Sequence, residues 1–500
     1  MHKNSRRHGL IRAVCEDSDL SNKDLFAKLE EIVGSKFVSD DKFIRWSYSM
    51  DSNIFDVLDP TPPAVVVRPC DPHEVSKILQ LANKLKTPVY VRGGGTDGGG
   101  SRGTRVKESI LIDITRLNNV VGIDESSQTV TALAGTTWGR LNKEVEEKGW
   151  RLGYKGPYSG YGSTLGGSVA VQSNGYGSPR YGVVAEDLTN LQVVLPNGEI
   201  LETGSAVNPS AKKFYRYCIG PDLTGIFVGS GGCFGVITEV TLRLYPKAVD
   251  TAFGAYGFRN DNSTQKCYYE WLKTREADHV AWFAEDGLRV NSPELTEQGY
   301  ASMLTFAVED QTHELVDARA KLLRQIAEDQ GGENLDSNKY AKGDWDFKFE
   351  LLPRWAAKIG QWQWNCHMIP AGDALMDLKS VLNLLKRHEA ELEKNGVTHS
   401  TVSIAHKNAG HVSTSMYYDQ SNPDAVKLVK NLCDKYAELS VGKNGGCNYW
   451  LGKIWYPYTI MRNPIYRRFL LSLKKAVDPN NVLNPGGLTL PTDLNEEVCQ

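Results

Sequence analysis

Pro88-Val-Tyr-Val-Arg-Gly-Gly-Gly-Thr-Asp-Gly-Gly-Gly-Ser101 sets six glycines within eight residues directly behind a short β-branched and aromatic run. A loop so poor in side chains lets successive backbone N–H groups point into one concavity, a shape that suits a pyrophosphate. Upstream, Ala64-Val-Val-Val-Arg68 reads as a strand. Asp71-Pro-His-Glu74 then offers a helix N-cap, a proline at the first helical position and a glutamate at the third. Val75, Ile78, Leu79, Ala82 and Leu85 follow at helical spacing. The order is therefore strand, helix, strand, glycine loop, and the next apolar run, Ser109-Ile-Leu-Ile-Asp-Ile114, is again a strand. A Rossmann fingerprint opens a helix straight after its first strand, so Gly93-x-Gly95-x-x-Gly98 has the spacing without the context. No Gly-Lys-Ser/Thr ends the loop, which excludes a Walker A site. A flexible linker is the bland alternative, and a position between two apolar strands speaks against it.

A chain of 500 residues is expected to build two or three domains. The charge is −3, from 57 basic and 60 acidic residues, with no long block of either sign, so no nucleic-acid partner is expected. The mildly basic start (Lys3, Arg6, Arg7) has no apolar run behind it, and no stretch reaches the roughly 20 apolar residues of a membrane helix. Neither a secretory leader nor a membrane span is expected. Nine cysteines form no CxxC pair, which reads as reduced, scattered thiols in a cytoplasmic setting and excludes an iron–sulfur module on this chain.

Residues 64–247 are strand-rich, with a hairpin at Leu191–Leu201 turning on Asn197-Gly198 and a short helix from Trp138 to Lys148. Beyond Pro246, strand-like stretches alternate with helices predicted at His313–Gln330, Asp373–Lys394 and Asp424–Leu439; a last helix spans Ile465–Val477. This is the pattern of an α+β fold. The expected limits are an N-terminal segment at 1–59, a first domain at 60–247, a cap at 248–464, and a segment at 465–500 that returns to the first domain.

Two further glycine clusters lie at Gly153–Gly182 and Gly229–Gly235. Three such loops separated by strands suggest a large ligand lying along backbone, because fused rings pack only where no Cβ intrudes; bulges and tight corners are the competing explanation. On these residues the chain resembles the vanillyl-alcohol-oxidase/p-cresol-methylhydroxylase family of FAD enzymes, which includes glycolate oxidase subunits and D-lactate dehydrogenases. Arg92-Gly-Gly-Gly-Thr96, Thr164-Leu-Gly-Gly167, Arg180-Tyr-Gly182, Gly229–Thr238 and Asp478–Gly486 match its motifs in order. The resemblance covers 60–247 and 465–490. It implies a two-subdomain PCMH-type FAD-binding domain with an α+β cap, and FAD with its pyrophosphate on the first loop. Carried over residue by residue, cofactor contacts fall to Arg92, Gly93, Gly94, Gly95, Thr96, Asp97 and Gly98, to Pro157, Thr164, Gly166, Gly167, Ser173 and Tyr181, and to Gly235, Val236, Ile237 and Asn484. Thr96 replaces the attachment histidine of the berberine-bridge type, and no cysteine lies between 150 and 180, so the FAD is expected to be non-covalent. His411 falls near the attachment histidine of some phenol oxidisers.

The cap departs from its relatives. Hydroxy-acid members carry Gly-His-x-Gly-Asp-Gly-Asn-x-His, whereas Gly410-His-Val-Ser-Thr-Ser-Met-Tyr-Tyr418 keeps only His411. One histidine cannot hold a divalent ion, so no metal is expected. Gly445-Gly-Cys-Asn-Tyr-Trp450 partly resembles an element of the phenol-oxidising members, with Tyr449 in their tyrosine's place. His411, His406 and Tyr449 are the candidates for the base or hydroxyl partner. Arg289, Arg354 and Arg462 are available for a substrate carboxylate. The tryptophan-rich cap could build a core or line an aromatic pocket. The resemblance thus implies an FAD-dependent oxidoreductase acting on a small-molecule CH–OH group, by family a 2-hydroxy acid. The alternatives are an aromatic alcohol or alkylphenol oxidase, and a flavin subunit of an electron-transfer complex. The electron acceptor (oxygen, quinone, cytochrome or partner subunit) and homo-oligomer formation stay open.

Overall fold

The computed structural model describes residues 22–49, 53–97, 104–217, 219–349, 361–449 and 454–494. Val65–Val67, fully buried, runs into the helix Pro72–Leu85 and returns as Val89–Arg92. Asp71 caps that helix, accepting from the amides of His73 at 2.8 Å and Glu74 at 2.9 Å, and the Glu74 carboxylate reaches back to the amide of Cys70 at 2.7 Å. The apolar stripe Val75, Ile78, Leu79 and Ala82 is buried as its spacing requires. Ile110–Asp113 lies between these two strands and is parallel to both. The glycine loop therefore leaves the C-terminal end of a parallel strand, where open α/β sheets place their ligands.

A second, antiparallel sheet follows, in the order Val120–Asp124, Thr129–Leu133, Val236–Arg243, Leu188–Val194, Ile200–Glu202. Both sheets share one hydrophobic core. The N-terminal segment set apart at 1–59 contributes to it: Leu25, Leu29 and Val33 lie in that core, and Val38–Ser39 pairs with Val65–Val67. Within the second glycine cluster, Leu165–Val171 forms a helix where loop was expected, and the long helix predicted at Asp373–Lys394 is two, Ala374–Lys386 and Glu389–Lys394.

The cap is an eight-stranded antiparallel sheet running from Glu333–Asn334 at one edge through Asp250–Phe258, Ser302–Asp310, His279–Phe283, Thr398–His406, Ala409–Tyr418 and Gln361–Pro370 to Cys447–Asn448. Strand alternation divides its faces. Val280, Trp282, Ala405 and Val412 join a core with the helices Asp261–Thr274, His313–Asp329 and Ala374–Lys386. The residues between them face the other way. Arg151 and Lys155 pair with Glu309 at 3.3 and 2.8 Å, and Arg180 with Asp310 at 3.2 Å, so buried charge pairs tie the cap to the first domain.

Val482, Leu483, Leu488 and Leu490 lie in the first core. Leu483 bridges Val89, and Asn484 donates its amide to the Val89 carbonyl at 2.8 Å. Lys474, 1 % exposed at its side chain, donates to Asp478 at 2.6 Å and to the carbonyls of Cys233 at 2.8 Å and Leu483 at 2.5 Å. Replacing Lys474 by methionine strands the Asp478 charge in the interior, so unfolding free energy is expected to fall by about 3–5 kcal/mol. Denaturant unfolding checks this; an unchanged midpoint refutes the clamp.

Candidate active site

The three glycine segments converge on one cleft with about 1170 Å³ of space between its walls. Two different needs explain its glycines. A Cβ on Gly94 would sit 1.6 Å from the Gly162 carbonyl oxygen, and one on Gly93 2.2 Å from Thr164 Oγ1, so the first loop can touch the second only without side chains. Gly232, by contrast, has φ +76° and nothing within 4 Å of where its Cβ would be. Thr96 Oγ1 and Ser163 Oγ lie 2.7 Å apart and fasten the two loops. Among the described residues, the amides of Gly94, Gly95 and Thr96 donate no hydrogen bond within the chain. Free donors on a loop lining a cleft are the group a phosphate needs, and the side-chain-free walls give a ring system room. The residues present fit FAD.

Of the expected contacts, Gly93, Gly94, Gly95, Thr96, Asp97, Pro157, Thr164, Gly166, Gly167, Ser173, Gly235, Val236 and Ile237 line this cleft. Arg92, Tyr181 and Asn484 do not. The Arg92 guanidinium turns back over the Tyr48 ring, 5.2 Å from its centroid. The Tyr181 hydroxyl accepts from Arg151 at 2.8 Å inside the interdomain charge cluster. Asn484 works from behind: its amide donates to the Gly231 carbonyl at 2.6 Å and its oxygen accepts from Arg105 at 2.8 Å, fixing the third loop. Gly98 lies outside the described residues.

A second cavity, about 1040 Å³, lies over the sheet face of the cap and shares Tyr158, Trp364 and Ile404 with the first. The two meet there. Tyr449 forms part of the cleft wall, and its hydroxyl accepts the Asn174 amide at 2.6 Å. His411 is fully buried behind it, ring centroids 4.5 Å apart, and His406 lies 6.0 Å further on. Neither histidine lines the cleft as expected of a base in direct contact; each stands behind the wall. No ring nitrogen of His406 or His411 has a hydrogen-bond partner among the described residues. Burial pushes His406 down to about 3 and His411 well below the ordinary histidine range, with neighbouring imidazoles adding to the shift, so both are neutral acceptors.

The site also holds residues that sequence patterning passed over. His279, 1 % exposed, meets Asp344 at 2.7 Å and stacks on Tyr176 at 4.5 Å. Asp344 and Tyr158 both line the cap cavity. Strand alternation puts His279 on the face of Ala281 and Phe283, a signal that needs the register of a long sheet to be read. Of the arginines, Arg289 faces Glu285 at 3.5 Å with both exposed, and Arg462 lies on Tyr458; neither reaches a cavity, and Arg354 falls outside the described residues. The tryptophans divide: Trp271 and Trp282 build the helix-side core, while Trp364 lines both cavities. Among the described residues, no helix is long and apolar enough to cross a membrane.

Residues 63–204 match the family model of the FAD binding domain, and residues 268–488 that of the FAD linked oxidases, C-terminal domain. The chain is 27% identical to the D-lactate dehydrogenase [cytochrome], mitochondrial, of Arabidopsis thaliana, over 86% of this chain and 74% of that protein. It is 26% identical to glycolate oxidase subunit GlcD of Bacillus subtilis, over 93% and 96%. Among solved structures it is similar in fold to p-cresol methylhydroxylase with substrate bound, at TM-score 0.80, 17% identity, and 95% and 98% coverage. A second fold neighbour is alkyldihydroxyacetonephosphate synthase, at TM-score 0.74, 16% identity, and 92% and 84% coverage. Joining an FAD binding domain to a C-terminal domain of the FAD linked oxidases around this cleft, the chain is an FAD-dependent oxidoreductase.

Proposed function

We propose that the protein oxidises the CH–OH group of a 2-hydroxy acid. The observation that carries this is the pair of neutral, unpartnered imidazoles buried behind Tyr449, next to the junction of the two cavities. FAD supplies the two-electron acceptor. In this reading Gly94, Gly95 and Thr96 hold the pyrophosphate, and the walls from Thr164 to Gly167 and from Gly235 to Ile237 hold the remainder. Tyr158, Trp364 and Ile404 shape the passage through which substrate meets cofactor. Tyr449 orients the substrate hydroxyl. The substrate hydroxyl donates to the Tyr449 oxygen, and the neutral His411 imidazole, whose ring packs against that of Tyr449, is the buried acceptor for the proton released as the carbonyl forms.

The D-lactate dehydrogenases and the glycolate oxidase subunit among the relatives support a hydroxy-acid substrate over the alkylphenol alternative. We also assign 60–247 to the FAD domain and 248–464 to the cap, supported by the separate sheets, and a cytoplasmic setting, although several relatives carry "mitochondrial" in their names. Anaerobic mixing with a panel of D-2-hydroxy acids is expected to bleach the flavin within seconds, while 4-hydroxybenzyl alcohol leaves it oxidised. Bleaching by the phenolic alcohol alone reverses the assignment.

A further inference from the structure

The cap cavity, at about 1040 Å³, is nearly as large as the cofactor cleft, at about 1170 Å³. A molecule the size of lactate or glycolate would leave most of that volume wet. Most of the cavity's lining surface is apolar. Phe283, Met303, Phe347, Trp364, Val402 and Tyr417 supply large apolar surfaces from several strands and one loop. Its polar residues include Asn291, Tyr340 and Asp344, and Ser400, Ser413 and Ser415 form a short hydroxyl ladder along two paired strands. The one cation among the described lining residues, Lys339, is paired with Glu294 at 2.6 Å and half exposed. Neither Arg289 nor Arg462 enters, so nothing in the described lining selects a second carboxylate.

We propose that the substrate is a 2-hydroxy acid with a bulky apolar side chain, long alkyl or aryl, and that the cap cavity houses that chain. The inference rests on the 2-hydroxy-acid reading above. The hydroxyl and carboxylate stay at the junction near Tyr158 and Tyr449, and the side chain runs over the serine ladder toward Phe283 and Met303. Displacing water from such walls is favourable at about 0.8 kcal/mol per buried methylene, which is about fourfold in kcat/KM for each carbon added.

The test is anaerobic flavin reduction by the holoenzyme with D-lactate, D-2-hydroxybutyrate, D-2-hydroxyhexanoate, D-2-hydroxyoctanoate and D-3-phenyllactate. The second-order rate constant is expected to climb along the alkyl series by at least about 100-fold from lactate to the octanoate, part of the chain remaining hydrated. A second measurement uses Ser415→Phe, which places a ring between Ser400 and Trp364 on the cavity floor. Phenylalanine suits a strand, so the sheet tolerates it. The octanoate-to-lactate ratio is expected to fall at least tenfold. A flat or falling series in the parent enzyme, with lactate still bleaching the flavin, overturns this inference and leaves the 2-hydroxy-acid reading standing. No bleaching by any member of the series overturns both.

Discussion

Replacing His411 by methionine is expected to slow flavin reduction by substrate about 100-fold while leaving the fold as stable as before, or about 1 kcal/mol more stable. The two halves come from one fact. Both ring nitrogens of His411 are buried without a partner among the described residues, and a buried polar group without a partner costs about 1–3 kcal/mol. Methionine fills a similar space with no such cost. A side chain that weakens the fold and is still present argues for use, and removing a positioned proton acceptor costs about 100- to 10,000-fold in rate. Tyr449→Phe tests the same pair from the cleft side and should slow the reaction by at least about tenfold with FAD occupancy unchanged. The pH dependence gives a further readout. Burial holds His411 far below its ordinary range, so the imidazole stays in its accepting form and flavin reduction should not fall as pH drops through about 6.5. Stability behaves oppositely. Below about pH 6.5 the unfolded chain takes up a proton at each of these histidines and the folded chain does not, so stability declines by up to about 1.4 kcal/mol per pH unit per group. For His406 that decline runs down to about 3. The methionine variant should lose the His411 share and show a shallower slope. A variant destabilised by several kcal/mol, or one that reduces flavin at the parent rate, removes His411 from the mechanism.

Local chemistry made the first domain readable. Asp71, Pro72 and Glu74 announce a helix start in a few residues, and an apolar stripe announces its buried face, so the strand–helix–strand unit and the loop after it follow directly. The helix Leu165–Val171 did not announce itself, because two of its seven residues are glycine, the poorest helix former after proline. Packing explains one of them: a Cβ on Gly166 would press within 2.7 Å of the Ala134 Cβ. In the cap, motif comparison found His411, His406 and Tyr449, but not the His279–Asp344 pair or the junction at Tyr158 and Trp364. Those groups lie on strands and turns tens to hundreds of residues apart. Whether a strand residue faces cavity or helices depends on a register whose slip by one residue exchanges the faces. The displaced assignments share a cause as well. Arg92, Tyr181 and Asn484 sit inside motifs that matched, and matching a motif does not separate a side chain that touches the ligand from one that holds the touching loop.

Gly94→Ala should weaken FAD binding by at least about 100-fold, whereas Gly232→Ala should leave most of it. Both glycines lie on loops that line the cleft, so a view in which glycine serves only to admit the cofactor expects the second change to hurt at least as much. The geometry ranks them otherwise. The Gly94 methyl would fall 1.6 Å from the Gly162 oxygen and 2.7 Å from its carbonyl carbon, both backbone, so no side chain can swing aside and the first loop must leave the second. Losing that contact misplaces the free amides of Gly94, Gly95 and Thr96 together, and shifts of about 1 Å in a preorganised site carry penalties of about 100-fold. At Gly232 the methyl meets open space and the cost is conformational, about 1–2 kcal/mol for an L-residue held at positive φ. Flavin-to-protein absorbance ratios of the purified variants, followed by titration of apoprotein with FAD, measure the difference. Equal loss in both would mean that the loops are held apart by the cofactor, not joined before it arrives. Retention in Gly94→Ala would mean that the contact between the first and second loops is not what shapes the cradle.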